Sequence, residues 1–284
     1  MVKDNSMSKK RLYISADIEG IAGVVSMEQL LPKGFEYQQA REWMTAEVSA
    51  ACNAAFAADI DEVVVSDSHG NGQNLLIDEL PDNVQVVRSW PRPLCMMEGI
   101  QEGQYIGALL IGYHTGAGNP SGVIAHTLSG GISELRLNGQ LASETVISAA
   151  TAAHFDVPII MASGDDAYID HVNDVLGDIE TVVTKYAISY TSARMIKPRS
   201  VQLSITDSVT RALSTMDRFT AKRLQGPIEV DVLCTNQKGV ELLSYLPIIE
   251  RVDGYTIRFV GKDMVEVSRF LQFLTACGCL SLKI

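Results

Sequence analysis

The stretch RLYISADIEGIAG (residues 11–23) opens with an apolar run that predicts a buried strand over residues 11–17. A long helical stretch follows over residues 35–58, and a second apolar run, EVVVSD, occupies residues 62–67. Helices that alternate with continuous apolar strands are typical of a mostly parallel sheet covered by helices on both faces. The beginning of the chain therefore predicts an α/β fold.

The rest of the chain repeats this alternation. Further strands are predicted over residues 105–114, 123–129, 134–139, 158–164, 228–234 and 255–261, and further helices over about 141–154, 198–215 and 262–276. The segment ISYTSARMIKP (188–198) could join a second lobe. We predict a metal-binding catalytic domain over residues 9–190 and a smaller C-terminal α/β lobe over residues 191–284.

Composition excludes several classes of partner. The net charge is −11, from 23 basic and 34 acidic residues in a chain of 284, and such a surface repels nucleic acid. No apolar run reaches the roughly 18–20 residues that cross a bilayer, and the first ten residues are too polar for a secretion signal. The five cysteines lack CxxC spacing, which argues against a disulfide framework or a thiolate zinc site. We expect a cytoplasmic protein without a membrane or nucleic-acid partner.

Two carboxylates end the first predicted strand. Asp17 and Glu19 are two positions apart, so at strand spacing they point to the same side. Paired carboxylates repel each other unless a cation or a proton joins them. The structural alternative is that Asp17 caps the next helix and Glu19 is exposed.

Two of the five histidines also follow buried strands. His69 comes directly after EVVVSD and Ser68, and His114 comes at the end of YIGALLIGYH. In α/β sheets ligands bind outside the carboxyl ends of the strands, so these imidazoles and the two carboxylates are expected at one edge. A single histidine in such a place is more often a hydrogen-bonded loop residue.

Two further residues belong to the candidate site. His126 lies inside the predicted strand 123–129 and is interpreted either as a buried neutral histidine or as a general base or nucleophile. Glu144 follows a turn and falls in the first turn of a helix, where a negative charge is favourable without any ligand. Asp165 is interpreted as a helix cap, and Asp67 as a residue that could orient a ligand histidine.

Together the candidates provide two imidazoles and three carboxylates, which suit zinc, manganese or cobalt. Three carboxylates, two divalent cations and one bridging hydroxide add to zero charge, so two metals are expected rather than one. The predicted ligands are Asp17, Glu19, His69, His114 and Glu144.

The sequence resembles a known family, the D-aminopeptidases associated with bacterial dipeptide-transport operons. The resemblance covers most of residues 11–190 and rests on separated blocks in the family's order, and a GKDMVE segment at 261–266 adds to it. The blocks are YISADIEGIAG (13–23), VVVSDSHGNGQNL (63–75), LLIGYHTGAG (109–118), VIAHTLS (123–129), NGQLASE (138–144) and IIMASGDD (159–166).

The resemblance implies a binuclear zinc centre with the five ligands named above, and it implies that His126 is the catalytic nucleophile or base. It also implies hydrolysis of short peptides at a free amino end, a preference for D-amino acids, and a homo-oligomer in the form of a ring-shaped decamer. The segments 119–121 and 132–135 depart from the family pattern, and these loops could line the substrate pocket.

Other functions stay open at this stage. The same ligands could serve an amidohydrolase with another small amide substrate or a phosphoesterase, although no arginine or lysine stands at the strand ends to bind phosphate. A protein that binds peptides or stores metal without catalysis is the non-enzymatic alternative.

Overall fold

A computed structural model of the chain describes residues 9–281 and contains two β-sheets with six α-helices. The strands are β1 (Arg11–Ala16), β2 (Glu62–Asp67), β3 (Val84–Val87), β4 (Tyr105–Ile111), β5 (Ile132–Leu137), β6 (Gln140–Leu141), β7 (Ile159–Asp165), β8 (Glu180–Ser189), β9 (Ser192–Met195), β10 (Ile228–Cys234), β11 (Ile249–Arg251) and β12 (Thr256–Gly261). The helices are α1 (Tyr37–Ala57), α2 (Glu144–His154), α3 (Asp166–Leu176), α4 (Pro198–Ser214), α5 (Gln237–Leu243) and α6 (Met264–Ala276).

The first sheet has seven strands in the order β3-β2-β1-β4-β7-β8-β9. All neighbouring strands are parallel except β9, which runs antiparallel to β8. The strand order reverses between β1 and β4, and such a reversal opens a crevice at the carboxyl ends of the strands. This crevice is where the chain places its candidate site.

Helices cover both faces of the first sheet. On one face, buried side chains of α1 and α4 such as Met44 and Val209 join the core that contains Ile14 of β1. On the other face, Val172 of α3 belongs to the core around Tyr13, as does Ala152 of α2. Because β1 is buried on both sides, its sequence reads as a continuous apolar run. The predicted fold class, a mostly parallel sheet between helices with a smaller C-terminal part, is confirmed.

The second sheet has five antiparallel strands in the order β11-β12-β10-β5-β6 and packs against α5 and α6. Its strands β5 and β6 come from the middle of the chain. After residue 190, β9 still belongs to the first sheet and α4 packs on the core of that sheet. The domain boundary at residue 190 stays a prediction. Each of the two sheets contains strands from both sides of that boundary.

The predicted strand over residues 123–129 is wrong, because this segment is a loop. Ile124 and Leu128 have φ angles of 51° and 59°, and a positive φ is incompatible with extended backbone. Val123 and Ile124 are buried as loop residues and Leu128 is partly buried, so the apolar run itself was a misleading signal. Asp165, in contrast, caps α3 as predicted and accepts a hydrogen bond from the Tyr168 amide at 2.7 Å.

Over the described part of the chain, 9–281, no helix combines the length and the apolar character needed to span a membrane.

Candidate metal centre

Three adjacent strands of the first sheet deliver four of the predicted ligands. Asp17 and Glu19 follow β1, His69 follows β2, and His114 follows β4. The strand β1 ends at Ala16, one residue earlier than predicted, so both carboxylates lie on the loop beyond it. Their convergence therefore comes from the path of the loop and not from the alternation of side chains along a strand.

Two glycines allow the loops after β1 and β4 to touch. The Gly20 amide donates to the Gly112 carbonyl at 2.7 Å. A Cβ atom on Gly20 would lie 2.0 Å from the Tyr113 carbonyl oxygen, and one on Gly112 would lie 2.4 Å from the Asp17 carbonyl oxygen. Since no real side chain tolerates such contacts, the approach of the carboxylate-bearing loop to the His114 loop requires glycine at both positions.

The fifth predicted ligand reaches the centre from a helix. Glu144 is the first residue of α2, after the N-cap Ser143. Its Oε1 atom accepts a hydrogen bond from the Leu128 amide at 2.7 Å and lies 3.6 Å from His114 Nε2. The Ser143 hydroxyl lies 2.7 Å from His171 Nε2 and accepts from the Val146 amide, so the first turn of α2 is anchored from both sides.

Asp17 lies at the middle of the cluster. Its Oδ1 atom lies 3.4 Å from His69 Nδ1, and its Oδ2 atom lies 3.4 Å from His114 Nε2. Glu19 Oε2 lies 2.9 Å from His69 Nδ1. All five predicted ligands are therefore brought together, and each of them is buried.

Each imidazole of the site has one ring nitrogen bound to a backbone carbonyl. His69 Nε2 lies 3.0 Å from the Leu30 carbonyl, His114 Nδ1 lies 2.9 Å from that of Thr115, and His126 Nδ1 lies 2.8 Å from that of Ile124. A carbonyl only accepts hydrogen bonds, so these ring nitrogens are the donors. The other nitrogen of each ring then faces the carboxylates, which is the arrangement found around metal-binding histidines.

His114 gives a direct test of whether a metal fits. Its Nδ1 atom donates to Thr115, and its buried Nε2 atom has no hydrogen-bond partner among the described residues. A neutral ring would point its Nε2 lone pair at the carboxylates of Asp17 and Glu144, which is repulsive. A cation between these three groups removes the conflict, so the donor set fits a divalent metal.

The pKa shifts in the cluster also show that its carboxylates stabilise a positive charge on the neighbouring imidazoles. Burial lowers the pKa of His69, but the carboxylates of Glu19 and Asp17 outweigh burial and hold the pKa well above its usual value. The pKa of His114 is raised in the same way, against burial, by Glu144 and Asp17. Burial raises the pKa of Asp17, and the two imidazoles outweigh it and lower the pKa well below its usual value.

His126 differs from the other two histidines of the site. Its side chain is 27 % exposed, against 1 % for His114, and its Nε2 atom lies 3.9 Å from Glu19 and 3.8 Å from Glu144. The two rings stack with centroids 4.1 Å apart at an interplanar angle of 7°. His126 is thus held beside the ligand cluster with one edge open to the cavity.

Three overlapping groups could each hold an ion. The groups are Asp17, Glu19 and His69; Asp17, His114 and Glu144; and Glu19, His114 and His126, and within each one the donor atoms lie within 4.8 Å of one another. The first two groups share Asp17 and together contain all five predicted ligands. Because Asp17 belongs to both groups, the five residues together would be able to hold two metal ions.

A cavity of about 560 Å³ opens above the cluster, between the first sheet and α6 of the second. Its walls include apolar side chains such as Leu30, Trp90 and Met96, and α6 contributes Gln272 and Thr275. Over the described residues, no lysine or arginine lines this cavity. The contribution of α6 was not predicted, because a contact between distant segments leaves no local signal in the sequence.

Two supporting interactions were also missed or misassigned. Asp67 accepts from the amides of Asn74 and Leu75 and from the Asn74 side chain, which in turn donates to the His69 carbonyl. It therefore orients the His69 loop and not the imidazole ring. Lys185 is fully buried and bonds to the carbonyl of Glu19, and the mixed sequence of β8 gave no sign of either fact.

Comparison with known proteins shows the family and the fold. The model of the M55 peptidase family, described as D-aminopeptidase, matches residues 10–273. A D-aminopeptidase from Bacillus subtilis (strain 168) is 28 % identical over 268 residues, which cover 93 % of this chain and 96 % of the relative. The solved structure of "Zn-dependent D-aminopeptidase DppA from Bacillus subtilis, a self-compartmentalizing protease" superimposes with a TM-score of 0.90 at 26 % identity and covers 96 % of this chain and 99 % of that one.

Proposed function

Since the chain belongs to the M55 peptidase family of D-aminopeptidases, we propose that it is a zinc-dependent aminopeptidase that hydrolyses the N-terminal amide bond of short peptides and prefers a D-amino acid there. The observation that carries the proposal is the pair of donor groups that meet at Asp17. In this proposal Asp17, Glu19, His69, His114 and Glu144 hold two zinc ions. Bound zinc supplies Lewis acidity, which polarises a carbonyl group and lowers the pKa of water.

The proposed role of His126 is to act on the reacting atoms. Its Nδ1–H is bound to the Ile124 carbonyl, so the ring cannot turn and Nε2 stays directed at the space between Glu19 and Glu144. A neutral Nε2 in that place can accept a proton from the attacking water and return it to the leaving amine. It can equally attack the peptide carbonyl carbon itself, in which case the C–N bond breaks, the amine leaves with a proton from water, and a second water hydrolyses the acyl-imidazole to the free acid and imidazole. Both variants place the same atom beside the scissile bond.

The cavity supports a short peptide as the substrate. Its floor contains the proposed ligands Asp17, Glu19 and Glu144, so a peptide bond that reaches the floor would lie beside the metal centre. Over the described residues its lining has no basic side chain for a phosphate, which disfavours a phosphoesterase. A volume of about 560 Å³ is suited to a ligand of a few residues.

The assembly and the location are part of the same proposal. The related structure is described as a self-compartmentalizing protease, which supports a homo-oligomer for this chain. A ring-shaped decamer, as the family resemblance implies, and a cytoplasmic location stay predictions.

The function is tested with pairs of aminoacyl peptides that differ only in the configuration of the N-terminal residue, with a phosphate monoester as the comparison. We expect about two zinc ions per chain, as the two donor groups imply. Hydrolysis should be faster for the D-peptides, should be lost after chelation and should be restored by zinc. Full activity in a metal-free sample, or turnover of the phosphate monoester alone, would contradict the proposal.

A further inference from the structure

Residues 17–24, which we call the ligand loop, are held from β8 through their carbonyl groups. Lys185 Nζ donates to three of these oxygens, those of Glu19 at 2.5 Å, Ile21 at 2.9 Å and Val24 at 2.8 Å. The neighbouring Thr184 hydroxyl donates to the Gly20 carbonyl at 2.5 Å. Two adjacent residues of one strand therefore bind four carbonyl groups of the loop that carries the predicted carboxylate ligands.

Lys185 is an unusual residue to bury for structural reasons alone. Its side chain is 0 % exposed, and it forms no ion pair with any carboxylate of the described residues. An ammonium group has three N–H donors, and all three are used on the ligand loop. An apolar side chain would fill the same place in the sheet without the cost of removing a charge from water, and the three hydrogen bonds to the loop offset that cost together with the nearby negative charges of Asp165, Glu47 and Glu19.

Glu19 connects this contact to the candidate metal centre. Its backbone carbonyl binds Lys185, while its carboxylate lies 2.9 Å from His69 Nδ1 and 3.9 Å from His126 Nε2. Glu19 belongs to two of the three donor groups, so a shift of its backbone would disturb both of them. A few tenths of an ångström matter here, because metal ligands must lie at defined distances from the ion.

We propose that Lys185 is a positioning residue, which holds the ligand loop from β8 and so keeps Asp17 and Glu19 where they bind zinc, without touching zinc or substrate itself. This inference rests on the proposed zinc-dependent function. It predicts that the loop is preorganised before the metal arrives.

The first test is the Lys185→Met variant, which keeps a side chain of similar length and removes the three donors. Zinc affinity is measured by competition with a chelator of known affinity. We expect zinc to bind about 10- to 100-fold more weakly, the loss typical when a group that orients a metal ligand is removed. The matched control is Val209→Ala, which opens a cavity at a fully buried side chain of α4 without removing a hydrogen bond.

The second test does not depend on zinc. Amide hydrogen exchange is compared between the metal-free wild type and the metal-free variants. In Lys185→Met, exchange should become faster in residues 17–24 and stay unchanged in β10 of the second sheet, and Val209→Ala should not show this local pattern. Should Lys185→Met fail to fold, Lys185→Gln and Thr184→Val are measured in the same way, with smaller effects in the same segment.

The outcomes separate the two proposals. Wild-type zinc affinity and wild-type exchange of residues 17–24 in the folded Lys185 variants would overturn the positioning role while leaving the zinc peptidase intact. If the wild type binds no zinc but residues 17–24 still exchange faster in Lys185→Met than in the wild type, the proposed function is overturned and the hold of Lys185 on the ligand loop stands. Equal zinc loss in Val209→Ala at equal stability would show that Lys185 acts only through global stability and would also overturn the inference.

Discussion

At the scale of single residues, three backbone carbonyls determine which way the imidazoles face. The carbonyls of Leu30, Thr115 and Ile124 each take one ring N–H, and the second nitrogen of each ring is thereby turned to the carboxylates. The sequence could predict His69 and His114 as candidates because they follow buried strands, but any residue can provide a backbone carbonyl, so the carbonyl partners leave no signal in the sequence. Ring orientation was therefore beyond sequence reasoning, whereas the identity of the candidate ligands was not.

His126→Ala tests the division between ligands and the reactive group. Because the variant removes the Nε2 atom beside the scissile bond and leaves all five proposed ligands, kcat should fall by about 100- to 10,000-fold. Zinc content, measured by atomic absorption, should stay near the wild-type amount. The control is His154→Ala, at the end of α2, which should keep wild-type activity.

If His126→Ala loses zinc as well as activity, His126 is a ligand, as its membership in a donor group with Glu19 and His114 allows. If it keeps full activity, the catalytic role is wrong.

Glu144→Gln tests a proposed ligand at the N-terminus of a helix. The amide is isosteric, but it loses the negative charge that faces His114 Nε2 at 3.6 Å. We expect fewer zinc ions per chain after dialysis, with activity restored in part by excess zinc. The exposed Glu102→Gln is the charge-matched control and should retain the wild-type metal content. Unchanged zinc content in Glu144→Gln would show that Glu144 only provides a favourable negative charge in the first turn of α2, the structural alternative raised by its position.

At the scale of elements, the sequence predicted those strands that are buried along their whole length and missed some strands that are partly exposed. The strands β1, β2 and β4 are buried along their length, and their apolar runs predicted both the strands and the residues that follow them. The strand β8 is partly exposed and β9 is short and mostly exposed, so neither produced such a run. The pairing of β5 with β10 joins segments that several helices separate, and no local pattern encodes it.

The helix α1 buries a carboxyl group whose titration should appear in the stability of the protein. Glu47 Oε1 accepts from the Ala22 amide of the ligand loop at 2.9 Å, and Oε2 has no partner among the described residues. Burial raises the pKa of Glu47 to about 8, above its ordinary value of 4.5, although Ala22 and Lys185 oppose the rise. The folded state therefore keeps this proton between about pH 4.5 and 8, where the unfolded state has lost it.

It follows that Glu47 makes the free energy of unfolding decrease as pH rises through this window, and that it has no further effect above about pH 8. In Glu47→Gln this contribution is absent, so the variant should gain stability relative to wild type by about 1 kcal/mol per pH unit. Urea unfolding of both proteins at pH 5, 6, 7 and 8 measures the difference, with the exposed Glu42→Gln of α1 as the control. A difference that does not change with pH would show that Glu47 is ionised in the folded protein.

At the scale of the whole molecule, the candidate centre belongs to the first sheet while part of its cavity belongs to the second. Gln272 of α6 accepts a hydrogen bond from the Arg92 amide at 3.0 Å, which fixes this helix against the segment after β3. The five proposed ligands come from four separate segments of the chain, and their charges meet in a buried place. Sequence reasoning could name the segments, but the closure of the cavity by α6 depends on how the two sheets pack.

Metal removal should therefore loosen the molecule at one place more than at others. A zinc concentration about 1,000-fold above Kd stabilises the folded state by about 4 kcal/mol, and each kcal/mol shifts Tm of a protein of this size by about 2–4 °C. Chelation should thus lower Tm by roughly 10 °C, and zinc but not magnesium should restore it, since imidazole ligands favour zinc. Amide exchange should accelerate in the loops after β1, β2 and β4 and remain slow in β10 and β12, because only the former end in ligands. Scanning calorimetry and hydrogen exchange on the same chelated sample provide both measurements. An unchanged Tm would mean that the carboxylates and imidazoles are held by protons and backbone partners without a metal between them, and faster exchange spread evenly over both sheets would mean that the metal does not bind at these loops in particular.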